Sequence, residues 1–371
     1  MVKQKKINVL VVTWGGASNF GTVLQGFALV TKLCQLGYHV NFYSKYSHNK
    51  ITFKKIVKDL LALCGFSRFK NDAAWKYKLV EKFRKTYHHE VFLRNPIKRR
   101  AFFKKIDVFV TGSDQIWNTY FRYDPFFFLD FAGNSKRIAY SSSIGTNSVK
   151  EEYKEKVKGH LMKFQHIGVR ESEAVKVLSE LTKRTDITHV LDPVYLLEAK
   201  EWQKYIELAP YAHKKLPKKY IMCYFVGNQE YYHRQLEEVK EKYGINEVIN
   251  VTSHYKPRFI HPGSILYNES HPFDFLYFIK NAAVVCTDSF HAMSLSLILS
   301  SDFVLLKRFS ERDKESQSSR TQEILNKFSV QYKQFSANNN WSAPIDYNKV
   351  QSKLSQERLK SISFLKESVE N

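Results

Sequence analysis

Ala282-Ala283-Val284-Val285-Cys286-Thr287-Asp288-Ser289-Phe290-His291-Ala292-Met293-Ser294-Leu295 decides the class of the fold. Residues 283–286 are an apolar run of strand length, bounded by Thr287-Asp288-Ser289, the composition of a strand end followed by a helix N-cap. Met293, Leu295, Leu297, Ile298 and Leu299 then read as a mostly apolar helix. The pattern sets His291 near a helix N-terminus at the carboxyl end of a strand, where open α/β sheets bind their ligands. Free N–H groups and the positive end of the helix dipole favour anions there. A histidine so placed either trades protons near neutrality or only caps and packs the turn.

Outward from that stretch the same grammar repeats. Residues 7–12 are a strand, 14–22 a Gly-rich loop, 23–33 a helix ended by Gly37, and 40–43 the next strand. The loop is not G-x-G-x-x-G and no Walker lysine follows, so it is a phosphate cradle of another kind or only a tight turn. Residues 106–118 are a buried strand running into Gly112-Ser113-Asp114-Gln115, which puts Asp114 and Gln115 at the sheet's carboxyl edge. Residues 138–145 repeat the pattern with a serine run, and residues 166–172 repeat it again before a helix over 173–181. Asp192-Pro193 breaks regular structure and reads as a domain boundary.

After residue 200 the alternation starts over, with strands at 220–226, 247–252 and 303–306 and helices at 230–243, 272–281 and 321–328. Residues 330–347 read as a polar irregular link and 349–370 as a C-terminal helix. The chain therefore predicts an α/β protein of two doubly wound, Rossmann-like domains facing a central cleft. The expected units are residues 1–195 with a helical insertion at 45–105, residues 196–335, and a helix over 345–371 packing back toward the first domain.

Composition narrows the function. The chain has 371 residues, 43% hydrophobic and 25% charged, enough for two cores and against wholesale disorder. The net charge of +22 suits nucleic acid, an anionic membrane or phosphorylated substrates. No zinc-finger spacing, RNP-type aromatic motif or helix-turn-helix is seen, so nucleic acid is not expected. Cys34, Cys64, Cys223 and Cys286 form no Cys-x-x-Cys and read as reduced core residues of a cytoplasmic protein without a metal site. No apolar stretch is long enough for a transmembrane helix or a signal-peptide core. Lys54, Lys55 and Lys58 alternate with apolar residues, so 51–69 is a basic amphipathic helix. It either lies at the inner face of the plasma membrane or packs on its own domain as a flap.

These pieces together resemble the polysaccharide pyruvyl transferase family. The residues that carry the resemblance are Asn19-Phe20-Gly21-Thr22-Val23-Leu24-Gln25 with Ala28-Leu29, Gly112-Ser113-Asp114-Gln115-Ile116-Trp117-Asn118, Val169-Arg170-Glu171, Asp192-Pro193, Thr287-Asp288-Ser289-Phe290-His291 and Ser319-Arg320. The resemblance implies a GT-B-like fold and transfer of a pyruvyl group from phosphoenolpyruvate onto two hydroxyls of a sugar, making a ketal in a bacterial envelope or capsular polysaccharide precursor. It implies phosphoenolpyruvate as donor substrate with no cofactor and no metal, and a sugar acceptor that is a lipid-linked oligosaccharide or a free one. Ser289 stands where the better understood branch has an arginine.

The donor's carboxylate and phosphate need guanidinium partners and helix N-termini. Arg170 and the helix beginning near His291 supply them, with Arg320 as substitute for the arginine missing at Ser289. His291 suits the general acid or the phosphate stabiliser, from a reference pKa of about 6.5. Asp114 suits the base for the sugar hydroxyl or a loop carboxylate capping backbone N–H groups. Asn19, Gly21, Gln25, Ser113, Gln115 and Ser289 complete the expected binding set. Competing readings are a GT-B-like glycosyltransferase with Arg170 and Arg320 on a nucleotide-sugar diphosphate, and a non-catalytic binder of anionic glycan.

Overall fold

The computed structural model describes residues 6–15, 19–44, 72–213, 216–227, 229–252, 259–268, 271–308 and 318–371. The basic stretch 51–69 lies outside them. The first half holds strands β1 (Asn8–Thr13), β2 (His39–Ser44), β3 (Val108–Thr111), β4 (Lys136–Ser142), β5 (His166–Val169) and β6 (Ile187–His189). They form one sheet in the order β2-β1-β3-β4-β5-β6. The second half holds β7 (Ile221–Tyr224), β8 (Val248–Val251), β9 (Ile265–Tyr267), β10 (Val284–Thr287) and β11 (Phe303–Leu305), in a separate sheet ordered β11-β10-β7-β8-β9. Every pairing among the described strands is parallel. Parallel strands are covered by helices on both faces, which explains why β1, β3, β7 and β10 read as unbroken apolar runs. Two Rossmann-like units in one chain are the GT-B-like architecture expected.

The described helices are α1 (Phe20–Gln35), α2 (Asp72–Tyr87), α3 (Pro96–Phe103), α4 (Lys154–Leu161), α5 (Ser172–Thr182), α6 (Ala199–Ile206), α7 (Tyr231–Tyr243), α8 (Pro272–Asn281), α9 (Phe290–Leu299), α10 (Ser318–Lys327) and α11 (Tyr347–Glu370). Among the described residues no helix is long and apolar enough to cross a membrane. The order of each sheet reverses direction once. In the first the reversal falls between β1 and β3, and in the second between β7 and β10. Ligands of doubly wound sheets bind outside the carboxyl ends of strands at such a point. The loops that leave β1 and β3 carry Trp14 and Asp114, and His291 lies in the first turn of the helix that follows β10.

An aromatic seam joins the halves. Phe20 of α1 stacks on Phe275 of α8 with ring centroids 5.0 Å apart, and Phe27 meets Phe273 at 5.5 Å. Each fully buried phenyl contributes about 1.5–3 kcal/mol relative to exposure, and several in one seam set the orientation of α1 against α8 and α9. The C-terminal helix α11 spans the same junction. Gln351 near its start donates to Leu297 O at 2.8 Å, while Leu365 and Val369 near its end join the core under β1, β3 and β4. Arg358 between them donates to Tyr195 O at 2.6 Å.

The cysteine expectation needs one correction. Cys223 and Cys286 are buried on paired strands, but Cys34 is exposed. It sits in the last turn of α1, and Cys64 lies outside the described residues.

Candidate active site

The site is assembled where α1, α5, α9 and α10 begin. Asn19 caps α1, its side-chain oxygen accepting from Gly21 N at 2.9 Å and Thr22 N at 3.3 Å. Ser289 caps α9, accepting from Ala292 N. The turn after β10 is fixed by Asp288, which takes the Val226 and Gly227 amides at 2.7 Å each and Arg308 Nε at 3.0 Å. These contacts leave His291 in the first turn of α9, buried against α1. A Cβ placed on Gly21 would fall 2.3 Å from His291 Nδ1, so only glycine allows the two helices to approach this closely.

At the centre lies Asp192. Its Oδ2 accepts from Arg170 Nη1 at 3.0 Å and from Ser113 Oγ at 3.0 Å, and His291 Nε2 stands 3.5 Å away. The last distance is a charge contact at the edge of hydrogen-bonding reach. Oδ1 accepts from Val194 N at 3.1 Å, because Asp192 also caps the short turn begun by Pro193. Burial alone would raise this carboxyl. The His291 and Arg170 charges and the Val194 amide more than reverse that and hold it well below the usual carboxylate range.

Asp114 lies beside this centre at a left-handed φ of 72°. Thr22 Oγ1 donates to its Oδ2 at 2.7 Å and Gln115 N to its Oδ1 at 2.8 Å. Burial pushes this carboxyl up, and Arg170, His291, Thr22 and the Gln115 amide outweigh it, leaving it ionised with its affinity for protons lowered. Arg170 also pairs with Glu171 at 3.3 Å, and its Nη2 is buried without a hydrogen-bond partner among the described residues. The Phe290 ring lies 4.8 Å from the Arg170 guanidinium and 6.0 Å from that of Arg320, a cation–π arrangement that gathers both arginines at one aromatic face. Burial, and then the Arg170 charge, push the Arg320 guanidinium down to about 9 despite Glu171 and Asp114 nearby. It stays protonated at neutral pH, in a place where an added anion is favourable. Glu323 in the next turn of α10 ties that helix to the first half through His189 at 3.1 Å and Ser172 N at 3.1 Å.

The structure thus brings Asp114, Arg170, His291 and Arg320 together around Asp192 and Phe290. Arg170, Asp192, Phe290 and Arg320, with Glu171, Glu323 and Ile324, line a crevice there, and Asp114 and His291 lie beside it. The smaller polar residues divide differently. Gln25 is fully buried, and its amide is spent on Thr22 O, Thr13 Oγ1 and the Ser113 amide, so it braces the β1 and β3 loops and does not face a ligand. The Ser113 hydroxyl is likewise spent on Asp192 and Ser141, and Asn19 and Ser289 serve as helix caps. Half-buried Gln115 accepts from Asn118 at 2.8 Å. By sequence alone Asp192 reads as a boundary and nothing marks Thr22 or Phe290 for the site, although all three lie in the stretches that carry the family resemblance. Their signal is an Asp-Pro directly beyond a strand, and polar or aromatic residues flanking two helix starts.

A sequence model of the polysaccharide pyruvyl transferase family matches residues 19–305, from the α1 cap to β11. The chain belongs to the polysaccharide pyruvyl transferase family. It is a transferase by that membership, and Asp114, Arg170, Asp192, Phe290 and His291 lie inside the matched span, with Arg320, Glu323 and Ile324 beyond it. No curated protein matches the chain in sequence. Among solved structures it is similar to a putative UDP-N-acetylglucosamine 2-epimerase from Listeria monocytogenes, at 10% identity and TM-score 0.49 over 98% of this chain and 91% of that one. It is also similar to a UDP-GlcNAc 2-epimerase from Methanocaldococcus jannaschii, at 10% identity and TM-score 0.48 over 95% and 92%. A glycosyltransferase from Rickettsia africae is similar at 14% identity and TM-score 0.46 over 99% and 100%.

Proposed function

We propose that this transferase moves a pyruvyl group from phosphoenolpyruvate onto two hydroxyls of a sugar in an envelope or capsular polysaccharide precursor, with a lipid-linked oligosaccharide as acceptor. The observation that carries the reading is the pair of buried guanidiniums, Arg170 and Arg320, gathered at Phe290 beside His291. A small donor with both a carboxylate and a phosphate matches two guanidiniums and the surrounding helix N-termini. Arg320 takes the place of the arginine that Ser289 lacks.

The chemistry follows from these positions. His291 delivers a proton to the donor's methylene carbon, which becomes a methyl group and leaves an oxocarbenium-like carbon next to the carboxylate. A sugar hydroxyl adds there, its proton directed to Asp114. A carboxylate with lowered proton affinity suffices, because the hydroxyl turns strongly acidic as it bonds to that cation. The carbon–oxygen bond to phosphate then breaks with its electron pair leaving on phosphate, and the second hydroxyl closes the ketal. Of the two hydroxyl protons one balances that given to the methyl group and the other leaves with phosphate. Asp192 holds Arg170 and His291 in register throughout.

Incubation with phosphoenolpyruvate and candidate acceptors tests the reading. Phosphate release with a product heavier by pyruvate less water supports it; a hexose-sized gain from a nucleotide-sugar rejects it. His291→Ala is expected to lower turnover about 10²–10⁴-fold with folding intact. Arg170→Ala is expected to weaken donor binding by about 1.5–3 kcal/mol, the worth of a charge-assisted hydrogen bond. If activity falls only in step with stability in both variants, the residues are structural.

A further inference from the structure

We propose that Trp14, Tyr120 and Phe121 form an aromatic acceptor subsite that stacks against a sugar ring neighbouring the one being modified. The proposal rests on the reading above that the acceptor is a glycan.

The three rings lie at the reaction edge of the first sheet. Trp14 directly follows β1, and Thr13 before it donates its hydroxyl to Ser113 O at 2.9 Å, the residue next to Asp114. Phe121 lies in the turn from Asn118 to Arg122, in the loop that follows Asp114, and its ring stands 6.0 Å from Trp14 at 69°, an aromatic corner whose second wall, Trp14, rests on Phe127 at 6.0 Å. Phe121 is 73% exposed and Tyr120 45% exposed. Leaving a phenyl in water forfeits about 1.5–3 kcal/mol of burial, so a mobile turn would fold it away.

This turn is held open instead. Asn118 Oδ1 accepts from both the Tyr120 and Phe121 amides at 3.1 Å, and Arg122 N returns to Asn118 O at 2.9 Å. The Tyr120 hydroxyl is hydrogen-bonded to Ser148 Oγ at 2.8 Å, and Lys150 N donates to Thr119 Oγ1 at 2.9 Å. Gly145, at φ 66°, lets the next loop pack on Gln115 and Asn118 with no room for a side chain. The exposed ring is therefore preorganised and costs little further ordering when a ligand arrives.

A pyranose is the ligand this corner fits. One face of a sugar ring presents C–H groups, which the negative face of an aromatic ring attracts, while its hydroxyls stay in water. A protein partner is a poor match. Two exposed rings flanked by Arg122 and Lys150 fall well short of the roughly 800 Å² per side of a stable protein interface. Continuity with Asp114 through Ser113 and Thr13 places the sugar against the attacking hydroxyl's own side of the site.

The test uses the full chain, fluorescently labelled, on a printed array of bacterial oligosaccharides, together with phosphate release from phosphoenolpyruvate. The wild type is expected to bind a subset of glycans, Phe121→Ala to bind them about tenfold more weakly, and Phe121→Trp to restore binding. With a bound glycan as acceptor, the Phe121→Ala loss is expected in the acceptor KM and not in the donor KM. Array binding without phosphate release would leave the subsite standing and remove the phosphoenolpyruvate reading. No glycan bound by the wild type, equal binding by Phe121→Ala, or a change confined to oligomeric state on sedimentation would each overturn the subsite.

Discussion

Gly21→Ala tests the idea that His291 is set by a helix–helix contact across the domain seam. The new methyl would lie 2.3 Å from His291 Nδ1, 2.4 Å from Cγ and 2.5 Å from Cβ. Ordinary contacts are about 3.5–4.0 Å, so roughly 1 Å of separation is required. Because Cβ and Cγ clash as well as the ring nitrogen, rotating the imidazole does not clear the space. Cβ stays where the backbone puts it whatever the rotamer, so α9 has to move from α1, against the Phe20–Phe275 stack. Overpacking of this kind costs about 1–3 kcal/mol. The consequence for turnover is larger. A shift of that size breaks the 3.5 Å contact of His291 with Asp192, and a misplacement of about 1 Å costs on the order of 10²-fold in rate. The assay is phosphate release paired with thermal melting, with Gly159→Ala as control, since nothing lies within 4 Å of that added methyl. The control should melt at or slightly above the wild-type temperature and turn over normally. Gly21→Ala with wild-type turnover, or with a loss no greater than its unfolded fraction, would refute the placement.

Arg320→Ala should raise the donor KM roughly 10–150-fold, equivalent to about 1.5–3 kcal/mol of charge-assisted hydrogen bonding, and Arg320→Lys should recover only part of it because lysine lacks the planar fork; initial rates over a donor range decide. Asp192→Asn should lower both stability and turnover by releasing Arg170 and His291, read by urea unfolding and phosphate release. Acid sensitivity follows from Asp114 and Asp192. Both carboxyls are held below their ordinary range in the folded chain, so each adds stability above the unfolded value of about 3.9 and loses it as pH falls through the lower folded value. Melting temperatures should therefore be flat in this contribution above about pH 5 and fall below about pH 4, and the fall should be shallower in Asp192→Asn. Equal slopes would mean that Asp192 is not stabilised as its anion.

The sequence disclosed those parts of the fold whose cause is local. The strand at 284–287 and the helix from 290 are legible because four buried residues abut a polar cap, and Ser289 does cap α9. The loops after β1 and β3 are legible for the same reason. β9 was missed because two of its three residues are exposed and give no apolar run. α3 was missed because it buries no residue, so no stripe marks it, although Asn95-Pro96 is a good helix start. Asp192 shows the other kind of failure. Its Asp-Pro pair correctly signals a break in regular structure, but its role depends on Ser113, Arg170 and His291, which only the tertiary fold brings to one carboxylate. The bracing contacts of Gln25 are hidden for a similar reason, since a polar residue near a helix start looks available until Ser113 and Thr13 fold onto it.

The distribution of charge between the halves gives the seam a functional meaning. The first domain contributes three carboxylates, Asp114, Glu171 and Asp192, against the single guanidinium of Arg170. Alone, that edge would repel an anionic donor. The second domain supplies Arg320, His291 and the Phe290 ring that gathers the two arginines. The proposed anion site therefore needs α9 and α10 to meet α1 and α5, and α11 and the Glu323–His189 contact hold that meeting in place. A ligand that needs both halves must in turn stabilise their docking. At a donor concentration of 100 times its dissociation constant the gain is about 2.7 kcal/mol; a variant lacking Arg320, weakened roughly 10–150-fold for the donor, should keep only about 0.3–1.4 kcal/mol of it at the same concentration and melt correspondingly lower.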